Sequence, residues 1–361
     1  MPTSSRPIRV LVVDDSALVR KLVTLSLASD PEIQVVGTAK DPYAAKEQIF
    51  AVKPDVITLD IEMPRMDGLS FLSLLMKHHP LPVIIMSSLT GAGSELAADS
   101  LQRGAVEVLF KPSGSHSAFS DGTLNRKIKA AAQVNMTRLL EQVGTNPARR
   151  PAAIDPGSGG ASRNKVILIG SSTGGTQALR QILPALPAGI PGICIVQHIQ
   201  EGFSASLAKR LDGMCAAEVS EARDGDEVRP GRILLAPGNS HMLLRRAGKG
   251  FQAHLNNRPM VQFQRPAVDV LFKSAAAAHV GGEGLVILLT GMGVDGAEGM
   301  LELHKSGATT IAQNEATCVV HGMPKEAVRL GAVCHELPLQ SIPDVITLFA
   351  RASGRRARLA A

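Results

Sequence analysis

Two α/β domains, each built on a doubly wound, mainly parallel sheet, are what this sequence predicts. Three observations carry that expectation. Short, continuously apolar, β-branched runs alternate with helix-length stretches, the pattern of strands covered on both faces by helices. A segment rich in Pro, Gly, Ser and Ala interrupts the alternation near the middle of the chain. The 361 residues, 45% of them apolar and 19% charged, suffice for two cores at about 100–200 residues per domain.

The first five runs are IRVLVV (8–13), IQVVGTA (33–39), DVITLD (55–60), PVIIMSS (82–88) and VEVLF (106–110), each followed by a segment able to form a helix. From about Thr145 to Asn164 the chain includes NPARRPAAIDPGSGGASRN, which cannot bury enough surface to pack and predicts a linker. A second series follows: KVILIG (165–170), GICIVQH (192–198), RILLAPG (232–238), GLVILLTG (284–291) and TTIAQ (309–313), ending near Phe349. The expected division is a first domain over 1–125, a helix end and linker over 126–163, a second domain over 164–350 and a basic tail over 351–361.

Composition excludes several function classes. With no Trp, one Tyr and 3% aromatic residues, an aromatic platform for single-stranded nucleic acid is not expected. The net charge of +6 is a mild excess that favours acidic partners without specifying them. Cys194, Cys215, Cys318 and Cys334 form no C-x-x-C pair, so they predict buried thiols in a reducing compartment. No apolar run reaches about 18 residues and the start lacks a signal core, so a cytoplasmic chain without membrane insertion is expected. A monomer is the default.

Ligands of a doubly wound sheet bind beyond the carboxyl ends of its strands, so the residues there are the ones to inspect. The first strand runs into Asp14 and Asp15 and the third ends at Asp60. Three converging carboxylates need a cation, and an all-oxygen set with open water positions suits Mg²⁺. Ser87 and Lys111, at the ends of the fourth and fifth strands, add a hydroxyl and an ammonium able to hold a phosphoryl group placed on a carboxylate. VVDDS, LDIEMPRMDG, MSSLT and FKP in this order resemble the response-regulator receiver domain, a flavodoxin-like fold, across about 120 residues. The resemblance implies Asp60 as phosphoacceptor, with Asp14, Asp15, Asp60 and the Glu62 carbonyl around Mg²⁺. It also implies that Ser87 and Lys111 read the phosphate, although Val108 stands where the family carries an aromatic switch residue.

In the second half, KVILIG is followed by Ser171-Ser172-Thr173-Gly174-Gly175. Ser172 occupies the middle position of a dinucleotide G-x-G-x-x-G, and Thr176 stands where a P-loop needs Lys, so nucleotide binding is disfavoured. What remains is a hydroxyl on a sharp strand-to-helix turn, the setting of a nucleophile. His198 at the end of VQH supplies a base, and Asp295 in GMGVDGAEG an orienting carboxylate, unless it merely caps the helix after it. Backbone N–H groups of Thr173 and around Met292 could form an oxyanion hole. IGSSTGGT, VQH, LLAPGNSHM and above all LTGMGVDGAEGM closely resemble the catalytic domain of the bacterial chemotaxis protein-glutamate methylesterases, the CheB family.

With the receiver in front, that resemblance covers nearly the entire chain. It implies a Rossmann-like methylesterase domain without a cofactor, Ser172 as nucleophile, His198 as base, Asp295 as its partner, and Thr173 and Met292 as oxyanion donors. Its substrates would be glutamate γ-methyl esters and glutamines of methyl-accepting chemoreceptors, and its phosphodonor the chemotaxis histidine kinase. A phosphorylation-controlled transcription factor is the main rival. No helix-turn-helix or basic reading element appears in the second half, so nucleic acid is not an expected partner. Retention of Ser172, His198 and Asp295 speaks against a non-catalytic adaptor.

Overall fold

The computed structural model describes residues 6–87, 91–111, 122–144 and 164–352, without the side chains of 91–95 and 98. Of the expected helix end and linker over 126–163, residues 145–163 lie outside the described residues, as do residues 353–361 of the expected basic tail. Two compact units divide the chain, Met1–Val143 and Gly144–Ala361.

The first unit contains β1 (Ile8–Val13), α1 (Ala17–Leu27), β2 (Ile33–Ala39), α2 (Pro42–Val52), β3 (Val56–Asp60), α3 (Gly68–His78), β4 (Val83–Ser87), α4 (Gly91–Gln102), β5 (Glu107–Phe110), α5 (Thr123–Ala131) and α6 (Met136–Gly144). The five strands expected from the apolar runs form one parallel sheet in the order β2-β1-β3-β4-β5. Side chains of Ser16, Asp41 and Asp67 accept backbone N–H groups at the starts of α1, α2 and α3, which fixes where each helix begins. The unit runs past the expected limit at residue 125. In α5, Leu124, Ile128 and Ala131 recur on one helical face and are buried, and Leu139 of α6 is buried too, so these residues complete the first core.

The second unit contains β6 (Val166–Ser171), α7 (Gly175–Ile182), β7 (Gly192–Gln197), α8 (Phe203–Asp212), β8 (Glu218–Glu221), β9 (Glu227–Val228), β10 (Arg232–Leu235), β11 (His241–Ala247), β12 (Gly250–Asn256), α9 (Val268–Ala277), β13 (Gly284–Leu288), α10 (Ala297–Lys305), β14 (Thr309–Gln313), α11 (Met323–Arg329), β15 (His335–Leu337) and α12 (Ile342–Arg351). Seven strands form a parallel sheet in the order β15-β14-β13-β6-β7-β10-β8, and β11, β12 and β9 form a small antiparallel sheet. The strand side chains alternate between two cores. Ile167, Ile169, Ile193 and Ile195 enter one with Leu179 and Ile346, while Val166, Leu168, Cys194 and Val196 enter the other with Leu271, Phe272 and Met300. Burial of each large side chain contributes about 1.5–3 kcal/mol, so the central strands are the most firmly held part of this unit.

Among the described residues no helix is long and apolar enough to cross a membrane.

Candidate active site

Strands β6 and β7 stay in register up to Ser171 and Gln197, so Ser172 and His198 leave the sheet side by side. The His198 N–H donates to the Ser171 carbonyl at 3.0 Å. On the other flank of β6 lies β13, and the Ser172 N–H donates to the Thr290 carbonyl just beyond it, also at 3.0 Å. Strand order reverses between β6 and β13, so this rim is the crevice where a doubly wound sheet binds its ligand.

Asp295 approaches the same rim from the loop after β13. His198 Nε2 lies 2.7 Å from Asp295 Oδ2, with both side chains buried. The carboxylate also accepts the Val268 N–H on Oδ2 at 2.7 Å and the Asp269 N–H on Oδ1 at 2.9 Å. Asp295 therefore caps α9, not the α10 that follows it in sequence. The exchange is mutual, because Asp269 Oδ1 accepts the Gly299 N–H of α10 at 2.8 Å.

Burial alone would push the Asp295 carboxyl up. The hydrogen bond and charge of His198, with the two α9 N–H groups, overcome it and hold Asp295 below the ordinary carboxylate range. Asp269 goes the other way, to about 6, because burial and the Asp295 charge outweigh the Gly299 N–H and Lys273. An ionised Asp295 fixes the imidazole hydrogen on Nε2. Nδ1 then presents its lone pair, and it is buried with no hydrogen-bond partner among the described residues.

The remaining predicted groups flank this pair. Thr173 follows Ser172 in the turn into α7, and Gly174 permits that turn with φ 80. Met292 stands between Gly291 and Gly293, and among the described residues neither the Thr173 nor the Met292 N–H donates to a protein acceptor. A Cβ on Gly291 would fall 2.6 Å from Ser172 Cβ and 2.4 Å from Met323 Sδ, so this approach admits only glycine.

Two buried polar side chains that the sequence reading passed over hold the rim together. Gln197 Oε1 accepts the Ser171 hydroxyl at 2.7 Å, while its Nε2 donates to the carbonyls of Ser172 at 2.9 Å and His198 at 3.1 Å. The Thr290 hydroxyl donates to the Thr173 carbonyl at 3.0 Å, and the Thr290 N–H donates to Gln313 Oε1 at 2.8 Å. Their signal was a polar residue closing an otherwise apolar strand, which must find partners when buried.

In the first unit, carboxylate oxygens of Asp14, Asp15 and Asp60 all lie within 4.8 Å of one another at the β1/β3 switch point, with Asp14 and Asp60 buried and Asp15 exposed. Lys111 Nζ is 2.8 Å from both Asp14 Oδ2 and Asp60 Oδ2. Burial raises the Asp60 carboxyl to about 6, Lys111 opposes the rise and the Asp14 charge adds to it. Three hard oxygen donors in this space fit a Mg²⁺ ion. The Glu62 N–H donates to Asp60 Oδ1 at 3.3 Å, and Ser87, buried at the end of β4, accepts the Lys111 N–H on its carbonyl at 2.7 Å. Gly68 lets α3 start against this loop, since a Cβ there would fall 2.0 Å from the Asp60 carbonyl oxygen.

A sheet with a carboxylate cluster at its switch point and a sheet bearing a serine turn beside a buried histidine–carboxylate pair, in one chain, define a class: response regulators that carry their own hydrolase. Family profiles agree, the response regulator receiver domain matching residues 10–119 and the CheB methylesterase matching residues 167–346. The chain belongs to the CheB family of protein-glutamate methylesterases and protein-glutamine glutaminases. It is 51% identical over 357 residues to protein-glutamate methylesterase/protein-glutamine glutaminase 5 of Anaeromyxobacter dehalogenans, covering 97% of this chain and 98% of that protein. A Syntrophus aciditrophicus relative with the corresponding name is 51% identical over 340 residues, covering 94% of this chain and 98% of that one. The crystal structure of the Thermotoga maritima CheB methylesterase catalytic domain is 40% identical, covers 50% of this chain and 96% of its own, and has a TM-score of 0.49.

Proposed function

We propose that this enzyme hydrolyses glutamate γ-methyl esters, and deamidates glutamines, on the cytoplasmic helices of methyl-accepting chemoreceptors. Ser172 is the nucleophile, His198 the base and Asp295 the carboxylate that orients it. The observation carrying this reading is the buried His198–Asp295 hydrogen bond of 2.7 Å at the strand tip beside Ser172. Because Nε2 is committed to Asp295, Nδ1 is the atom that moves protons. As Ser172 Oγ attacks the ester carbonyl, its proton passes to Nδ1 and the Thr173 and Met292 N–H groups hold the developing oxyanion. Nδ1 then protonates the departing oxygen and methanol leaves, or ammonia in the glutamine reaction. Water attacks the acyl-serine, its proton passes through Nδ1 to Ser172 Oγ, and a γ-carboxylate is released.

The first unit supplies control. Asp60 accepts a phosphoryl group from the chemotaxis histidine kinase, with Asp14, Asp15, Asp60 and the Glu62 carbonyl as the ligands of Mg²⁺. Bound there, the ion neutralises charge on the transferring group. Ser87 and Lys111 hold the phosphoryl oxygens, so Lys111 exchanges part of its present pairing with Asp14 and Asp60 for the new dianion. That exchange biases a two-state equilibrium of the first unit, for which a few kcal/mol of differential contact suffice. The chain acts as a cytoplasmic monomer in this reading.

Methanol release from methylated receptor membranes, measured with and without acetyl phosphate, tests both parts. Wild type is expected to accelerate with the phosphodonor and Ser172→Ala to fall to background while keeping its unfolding midpoint. A Ser172→Ala protein within tenfold of wild type would overturn the assignment.

A further inference from the structure

The loop between β12 and α9 carries an exposed apolar tip whose conformation the fold itself does not call for. Val261 and Gln264 pair across it, each N–H donating to the other's carbonyl at 3.0 and 2.9 Å. Between them Gln262 and Phe263 both lie in the left-handed region, with φ 51 and 60. Two consecutive positive φ angles define the hairpin turn that Asn-Gly forms most easily, and a bulky aromatic there is a genuine outlier. Phe263 is nonetheless 68% exposed, and Met260 beside it is 54% exposed. Two consecutive strained backbone positions at a tip this exposed are a pattern of binding surfaces, not of cores.

The tip is tied rigidly to the catalytic rim. His241 spans the base of the loop, with Nε2 3.0 Å from the Pro259 carbonyl and Nδ1 accepting the Ala267 N–H at 3.2 Å. The next residue, Val268, is the one whose N–H holds Asp295. Arg265 bonds Asn239 Oδ1 as well as the carbonyls of Asn257 and Arg258, and Asn239 lies just beyond the carboxyl end of β10, at the same end of the sheet as Ser172. Val294 adjoins Asp295 in sequence and is 43% exposed.

We infer that Met260, Phe263 and Val294 form the surface on which the receptor helix lies while its modified glutamate reaches Ser172. This deepens the functional reading above and rests on it. Any protein side chain entering the switch-point crevice brings its parent helix across this rim. Apolar contacts there, with exposed Arg258 two residues from Met260, suit an amphipathic helix bearing acidic groups. A small ester needs none of them.

The test compares wild type with Phe263→Gly and with Met260→Ser/Phe263→Ser, as full-length chains activated by acetyl phosphate. Each is assayed on methylated receptor membranes and on the γ-methyl ester of N-acetylglutamate. The receptor-to-small-ester ratio of kcat/KM is expected to fall about tenfold or more, mostly through KM on the receptor. Because glycine fits the left-handed position, Phe263→Gly should unfold no earlier than wild type. An unchanged ratio, or a Phe263→Gly protein that unfolds earlier, overturns the inference. So does small-ester activity that rises without phosphodonor, since the tip would then hold the chain's own receiver. Failure of wild type to demethylate receptors, with Ser172-dependent small-ester cleavage intact, would refute the functional reading instead.

Discussion

Replacing Asp295 with Asn keeps size and shape and inverts one hydrogen-bond donor pattern, and the structure says what that should cost. Asp295 Oδ2 receives both the His198 Nε2 hydrogen and the Val268 N–H, and Oδ1 receives the Asp269 N–H. If the new amide nitrogen takes the Oδ2 place, it opposes the Val268 N–H and donates to Nε2, which moves the imidazole hydrogen to Nδ1 and removes the base. If it takes the Oδ1 place, it opposes the Asp269 N–H. Either arrangement leaves a buried donor unsatisfied, at about 1–3 kcal/mol of stability. The wrong tautomer in the first arrangement, and in either the loss of the negative charge that would stabilise a developing imidazolium, should lower kcat by about 10³–10⁴, or roughly 4–5.5 kcal/mol of barrier.

The pH dependence adds a sign. Because the folded-state carboxyl is depressed, its stabilisation is complete above the ordinary value of 3.8 and is lost as pH falls through the lower folded value. The gap in unfolding free energy between wild type and Asp295→Asn should therefore shrink below about pH 4. Steady-state kinetics on the small ester, with denaturant unfolding from pH 3 to 8, measure both quantities. A folded Asp295→Asn protein retaining a tenth of wild-type kcat would refute the tautomer argument.

Two further substitutions probe the neighbouring contacts. Gly291→Ala places a methyl group 2.6 Å from Ser172 Cβ, so the nucleophile must move; kcat should fall at least tenfold with about 1–3 kcal/mol lost on unfolding, and unchanged kinetics would refute the packing argument. Asp60→Asn should abolish acceleration by acetyl phosphate and stabilise the first unit at neutral pH. The Asp60 carboxyl rises from 3.8 to about 6, so the folded state loses stability as pH rises through that window, by at most about 3 kcal/mol, and Asn avoids the loss. Thermal unfolding without Mg²⁺ should show the advantage above pH 6 and none below pH 4; equal midpoints at pH 7.5 would contradict it.

The central strands were legible because residues such as Val10, Ile57, Leu168 and Ile287 are buried on both sheet faces and must be apolar whatever their neighbours. Ser172, His198 and Asp295 were legible because each ends or follows such a strand. The missed strands are peripheral. β8 reads EVSE and β15 reads HEL, sheet-edge segments with one strand partner each and little need for apolar character. The β11–β12 hairpin carries its signal in Met242, Leu244, Phe251 and Ala253, too few alternating residues among polar ones to stand out. Gln197, Thr290 and Asp269 escaped for a different reason: a polar residue closing an apolar strand signals that Gln197 and Thr290 need partners, but which N–H and carbonyl groups the folded chain puts beside each of the three is not written in any local pattern.

The pairing of β6 with β13, Val166 opposite Gly284, has a consequence for biosynthesis. Ser172 and His198 emerge early from the ribosome, whereas Met292 and Asp295 are translated about a hundred residues later and arrive only when that late strand adds to the edge that β6 leaves open. A chain released before Asp295 holds an alcohol and an imidazole with no means of acting together. Every product that ends before that strand therefore lacks the carboxylate, although it already carries the whole first unit.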